Sequence, residues 1–358
     1  MKPIAMFALA AALGGALFAD SSAGAQSATA PGGAGEAACA PAAEGLGYVC
    51  NLINVEDLLP VEGGRWLVGS SYKAGSVGLY LIDPAARTAR PVSLSIAETQ
   101  DPRYSGCPAA PDLTKLATHG LDVVPQRGGI ATVYAINHGG RESVEVFRLD
   151  AAQNSAQWVG CAVLPPGANG NSVAALPRGD GFVVTKFMDT RDKQGFQHIM
   201  SGAITGVVYR FTPGKGFSEV PGTRLSGNNG IAVSRDGKWV FINAYGSNEI
   251  YRVPLSGKGR SRHVKVDFHP DNLRWAPDGT LFDTGQFIEP GRTGMPLKPD
   301  DWAAVRLDPR TMAVTPLVKE SGRAEFGDAT STVQVGQTLW FGTFRGDRVA
   351  YRSVSPSE

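Results

Sequence analysis

Residues 119–138 read HGLDVVPQRGGIATVYAINH: a polar head, a short apolar run, a turn containing Gly, and a second apolar run. Five other segments share this layout. They are VEDLLPVEGGRWLVGSSY from Val55, GNSVAALPRGDGFVVTKF from Gly170, NNGIAVSRDGKWVFINAY from Asn228, PDNLRWAPDGTLFDTGQ from Pro270 and ATSTVQVGQTLWFGTF from Ala329. Their heads fall at Glu56, His119, Asn171, Asn229, Asn272 and Ser331, spaced 63, 52, 58, 43 and 59 residues apart. A unit of strand, turn and strand at this period predicts an all-β, six-bladed β-propeller. Between heads lie further strand–turn–strand segments, such as VGLYLIDPAARTARPVSL (77–94) and IYRVPLSGKGRSRHVKV (250–266), which supply the outer strands. Blade one is expected to recruit the C-terminal VAYRSV (349–354) to close the ring, because closure removes exposed edges. One helical turn is expected near 197–205. Long loops at 95–118, 186–205 and 287–303 flank the heads and are expected to form the mouth of a pocket.

Composition bounds the function. The 358 residues carry 34 Lys and Arg against 33 Asp and Glu, and 45 Gly. A net charge of +1, with no basic run beyond short groups such as 258–262, gives no electrostatic footprint for nucleic acid. Lys2, the apolar 4–19 and Ala23-Gly24-Ala25 resemble a secretory signal peptide cleaved before Gln26, and sixteen apolar residues are short for a membrane span. The expected organisation is therefore a signal peptide (1–25), a flexible Ala/Gly/Ser/Pro linker (26–44) and a propeller (45–358), in a periplasmic or secreted protein with no span in its mature chain. The four cysteines allow three pairings. In an oxidising compartment we favour Cys39–Cys50, local to the N-terminus, and Cys107–Cys161.

The heads suggest the chemistry. Glu56, Asn171, Asn229, Asp271 and Asn272 offer two carboxylates and three amides, a mixture of oxygens that suits Ca²⁺. Asn before Gly, as at Asn229, is often only a turn signal. Recurrence at one repeat position argues for convergence on a channel instead. His119 and His138 are candidate acid–base groups. Lys186 and His198, on or beside the 186–205 loop, are candidate substrate contacts, and Ser331 reads as a polar channel filler. Zinc spacings, a GxSxG elbow and nucleotide-binding Gly motifs are absent.

These motifs in order resemble the paraoxonase family. GLDVVPQ…VYAINHGGRESVEVFRL resembles its His-Gly head, Asn-His pair and following strand. VEDLLP resembles its Glu-Asp pair, NSVA its Asn-Asp-Ile-Val segment, NNGIAV its Asn-Gly-Ile strand and PDNL its Asp-Asn pair. The wider clan is the senescence marker protein/gluconolactonase superfamily, and the chain is most similar to its exported bacterial members, over roughly 50–355. The resemblance implies a catalytic Ca²⁺ held by Glu56, Asn171, Asn229, Asp271 and Asn272, with His119 and His138 as the site histidines. It also implies a second, structural Ca²⁺ on Asp57, the Leu121 carbonyl and an Asp that here is Ser172, so that this second site lacks a charge. The implied activity is calcium-dependent hydrolysis of a small-molecule lactone or ester. An exported propeller that binds a ligand or partner without turnover is the alternative. A histidine turned away from the ion would favour it.

Overall fold

The computed structural model describes residues 45–289, 292 and 298–354. The expected signal peptide, linker and Cys39 lie outside the described residues. Among those residues are six sheets, each a propeller blade, antiparallel except for one parallel strand at the outer edge of blade two. Blade two begins with Thr118–Pro125, blade three with Ala168–Ala175, blade four with Asn228–Val233 and blade five with His269–Trp275. Blade one is Leu58–Val61, Trp66–Ser70, Leu79–Asp83 and Thr88–Pro91, complete without borrowed strands.

Ring closure is where the sequence reading needs correction. Blade six holds Ala329–Val335, Thr338–Thr343 and Arg348–Ser353, and its fourth strand is Gly47–Cys50. Gly47 pairs with Tyr351 and Cys50 with Arg348. The ends of the propeller thus meet in blade six, and the N-terminal strand completes the C-terminal sheet. The physical need was read correctly but the donor was not.

The core is a ring rather than a ball. Each of six apolar clusters lies between two neighbouring blades, for example Val68, Leu81, Val133 and Phe147 between blades one and two. Phe282, Trp302, Leu339 and Phe341 do the same between blades five and six. Strand alternation supplies both faces of each sheet to a neighbour, which leaves the innermost strand edges to line the channel. The loop 95–118 does not reach the pocket. Ser93–Ile96 adds parallel to the outer strand of blade two, and Cys107 is bonded to Cys161 there, with a Cα–Cα distance of 5.2 Å. Cys50 is also disulfide-bonded. The single α-helix among the described residues is Gly195–Met200, two residues earlier than expected. No helix among them is long and apolar enough to cross a membrane.

Candidate metal and acid–base site

The heads project from breaks in strand register. The first strand of blade two slips between Thr118 and Leu121, that of blade three between Gly170 and Val173, and those of blades four and five between Asn228 and Ile231 and between Pro270 and Leu273. Each break frees the head from the ladder and re-aims its side chain, the local effect of a β-bulge. The residues freed are His119, Asn171, Asn229 and the pair Asp271–Asn272. Glu56 precedes blade one's first strand. The glycines that follow two heads serve close packing rather than a turn. A Cβ on Gly120 would lie 2.5 Å from the Asn171 carbonyl oxygen, and one on Gly230 would lie 2.1 Å from that of Asp271. The heads of blades two and four are therefore packed against those of blades three and five.

Glu56, His119, Asn171, Asn229 and Asp271 line one cavity of about 580 Å³. All five are buried, as is Asn272, which donates its amide to Glu56 Oε1. Glu56 Oε2 and the Oδ1 atoms of Asn171, Asn229 and Asn272 are buried with no hydrogen-bond partner. Such atoms are costly to leave unsatisfied. Asp271 Oδ2 accepts from Gln286 Nε2 at 2.9 Å, and Gln286 is itself held by the Tyr245 hydroxyl at 3.0 Å. Burial, and then the nearby Asp57 and Asp271 charges, push Glu56 well above the usual carboxylate range. Burial raises Asp271 as well. Two carboxylates so raised, beside three orphaned amide oxygens, fit a hard divalent cation, which would satisfy the oxygens and favour both charged forms. Among the described residues no group of three or more His, Cys, Asp or Glu could hold a metal, so an ion held here would draw its remaining donors from amides.

The second ion set is not assembled. Asp57, fully buried, accepts Arg274 Nε at 2.8 Å and also pairs with its Nη2. It further accepts the amides of Leu58 at 2.9 Å and Leu121 at 2.7 Å. Leu121 thus meets Asp57 through its N–H, and the cation beside Asp57 is a guanidinium. Ser172 Oγ has no partner. Arg274 was missed in the sequence, where it stands two residues beyond Asn272 in PDNLRW.

The histidines come together. His119 Nε2 is 3.7 Å from Glu56 Oε1, and its Nδ1 is 3.0 Å from His138 Nε2. Tyr72 stacks on the His119 ring at 4.1 Å between centroids. Burial and then His138 depress the His119 pKa well below 6.5. His119 thus faces the oxygen cluster through Nε2, and His138 stands behind it. Lys186 and His198 do not line the cavity. Lys186 turns to Asp189 at 3.3 Å, and His198, exposed, pairs with Asp192 at 2.7 Å. From the same segment Phe187, Met188 and Phe196 line it instead, with Ile288 and Phe344. The ion pairs Arg292–Asp300 and Arg345–Asp328 also line it. Ser331 Oγ donates to the Glu56 carbonyl at 3.0 Å and so fixes that segment.

Residues 128–288 match the family described as SMP-30/Gluconolactonase/LRE-like region, so the superfamily expected from the motifs is borne out. Among solved structures, a luciferin-regenerating enzyme is similar at 12% identity, covering 86% of this chain and 93% of its own, with a TM-score of 0.53. Regucalcin, a calcium-binding protein from Agrobacterium tumefaciens, is similar at 12% identity, over 84% of this chain and 90% of its own, with a TM-score of 0.51. At these identities the likeness is one of fold. A comparison with curated proteins found no match.

Proposed function

We propose that the protein is a calcium-dependent hydrolase that opens small-molecule lactones or related esters. The observation that carries the reading is the set of four orphaned oxygens, on Glu56, Asn171, Asn229 and Asn272, beside a buried His119. Glu56, Asn171, Asn229, Asp271 and Asn272 would hold the ion. When bound, Ca²⁺ supplies Lewis-acid polarisation of a substrate carbonyl. His119 accepts a proton from water through Nε2, with His138 behind it at Nδ1. Its depressed pKa keeps it neutral, the form in which it accepts. Phe187, Met188, Phe196, Ile288 and Phe344 hold the hydrocarbon part of the substrate and exclude bulk water.

The superfamily match and the calcium-binding name of a propeller of like fold support a metal-dependent lactonase. The placement of His119 beside the oxygen cluster, with His138 behind it, favours turnover over simple binding. Export to an oxidising compartment is part of the proposal and is supported by the Cys107–Cys161 bond. N-terminal sequencing of protein from the periplasm or medium, with Gln26 first, tests it. Elemental analysis and melting with and without chelator test the ion. Asn229→Ala and Asp271→Ala should lower both calcium content and thermal stability, because a ligand of the folded state stabilises it. Melting unchanged by excess chelator would defeat the ion.

A further inference from the structure

Glu142 stands four residues after His138, in the loop between Ile130–Asn137 and Ser143–Asp150 of blade two. Its carboxylate oxygens lie 2.9 and 3.0 Å from His138 Nδ1. It also accepts the Gly170 amide at 3.0 Å and the Asn169 side-chain amide at 3.3 Å. Glu142 does not line the cavity.

With Glu142 ionised and both imidazoles neutral, these contacts have one consistent proton arrangement. An ionised carboxylate only accepts hydrogen bonds, so His138 Nδ1 carries a proton. A neutral His138 then has its lone pair on Nε2. That lone pair can meet His119 Nδ1, 3.0 Å away, only if His119 Nδ1 carries a proton. His119 is then left with its lone pair on Nε2, the nitrogen nearest Glu56. A carboxylate two residues away in this chain of contacts thus decides which nitrogen of His119 can act as a base.

We propose that Glu142 is a positioning residue that fixes the tautomers of His138 and His119, so that the basic nitrogen of His119 faces the oxygen cluster. The inference rests on His119 as the base of the proposed reaction. As His119 Nε2 gains a proton from water, its Nδ1 proton passes to His138 Nε2. The His138 Nδ1 proton stays hydrogen-bonded to Glu142, whose negative charge stabilises the imidazolium. The hydroxide left by that water adds to the substrate carbonyl, the ester C–O bond breaks, and the extra proton on the two rings returns through His119 Nε2 to the released alkoxide oxygen, so that no further reactant is needed. Asn169 gives the arrangement an edge. Its amide nitrogen lies 3.5 Å from His138 Nδ1. Without Glu142, this donor is the nearest partner for an unprotonated Nδ1. The His138 proton would then sit on Nε2, and His119 would carry its own on the wrong nitrogen.

The test is ¹⁵N NMR of histidine-labelled protein at mildly alkaline pH, on wild type, Glu142→Leu and Glu142→Asp. Wild type should show His138 and His119 both protonated at Nδ1. Glu142→Leu should shift His138 towards Nε2 protonation, and Glu142→Asp should restore the wild-type pattern in part. In turnover, Glu142→Leu should lose about 10²–10⁴-fold in kcat, the scale of a base held in the wrong tautomer. KM and calcium content should be unchanged, and Glu142→Asp should recover part of the rate. Wild-type His138 protonated at Nε2 would overturn the proposal without any variant. So would a folded Glu142→Leu protein with the wild-type tautomers. Tautomers as expected in a protein that turns over no ester would uphold the role of Glu142 in placing the protons and refute the hydrolase reading alone.

Discussion

Arg274→Met should destabilise the propeller severely, although Arg274 is outside the pocket lining. Arg274 is 4% exposed and its partner Asp57 is fully buried. The pair is made by Nε on Oδ1 and Nη2 on Oδ2, while Nη1 donates to the Leu273 carbonyl at 2.7 Å. Methionine fills much of the volume but leaves the Asp57 carboxylate buried with only the amides of Leu58 and Leu121. Breaking one side of a buried ion pair costs about 3–5 kcal/mol. At an unfolding entropy of about 2.1 cal/mol/K per residue over about 300 residues, that is a fall in Tm of roughly 5–8 °C. Removing both charges, in Asp57→Leu with Arg274→Met, should recover most of the loss, because a well-packed apolar pair avoids the desolvation of two ions. Calorimetric melts of calcium-saturated protein measure all three, and elemental analysis should report one calcium per chain in wild type. Arg274→Met melting within about 1 °C of wild type would refute the reasoning. Two calcium ions per chain would also refute it, since a second ion would then sit where the guanidinium is placed.

Three further outcomes are expected. Replacing Cys107 and Cys161 together by Ala opens a link across 54 residues of sequence and should cost about 4 kcal/mol in denaturant unfolding of otherwise identical protein. Gly230→Ala places a methyl group 2.1 Å from the Asp271 carbonyl oxygen and should weaken calcium binding while far-UV circular dichroism stays that of the wild type. Because burial and His138 hold the His119 pKa well below 6.5, the neutral base is complete above that pH. The profile of kcat/KM should be level there and fall only on the acid side, and an acid limb centred above pH 6.5 would count against His119 as the base.

The blades were legible because their period is carried by apolar runs and Gly turns, which act locally. The heads were legible because bulges at matched positions preserve spacing, even though the bulges themselves leave no residue signature. Gly47–Cys50 was hidden because a four-residue strand has no repeat around it and gains its partner only from the far end of the chain. Lys186 and His198 were chosen for their charge. Strand alternation instead gives the cavity Phe187, the neighbour of Lys186, and places the polar side chains with Asp189 and Asp192. Glu142 was passed over in HGGRES because its role depends on the orientation of a ring, which sequence does not encode locally. Arg274 carried a readable signal. Asn272 and Arg274, two apart on one inner strand, reach Glu56 and Asp57, and a charge within such a strand demands a partner.

The central claim is that an ion held by Glu56, Asn171, Asn229, Asp271 and Asn272 and a base at His119 together open a lactone. Initial rates on a panel of lactones and aryl esters, as metal-free protein is titrated with calcium, test it most directly. The account predicts a rate that rises from near zero and saturates at one calcium per chain. It also predicts that calcium-loaded His119→Gln is slower by about 10²–10⁴-fold. Turnover indifferent to chelation would contradict the ion's role, and no turnover by folded, calcium-saturated protein would contradict the hydrolase.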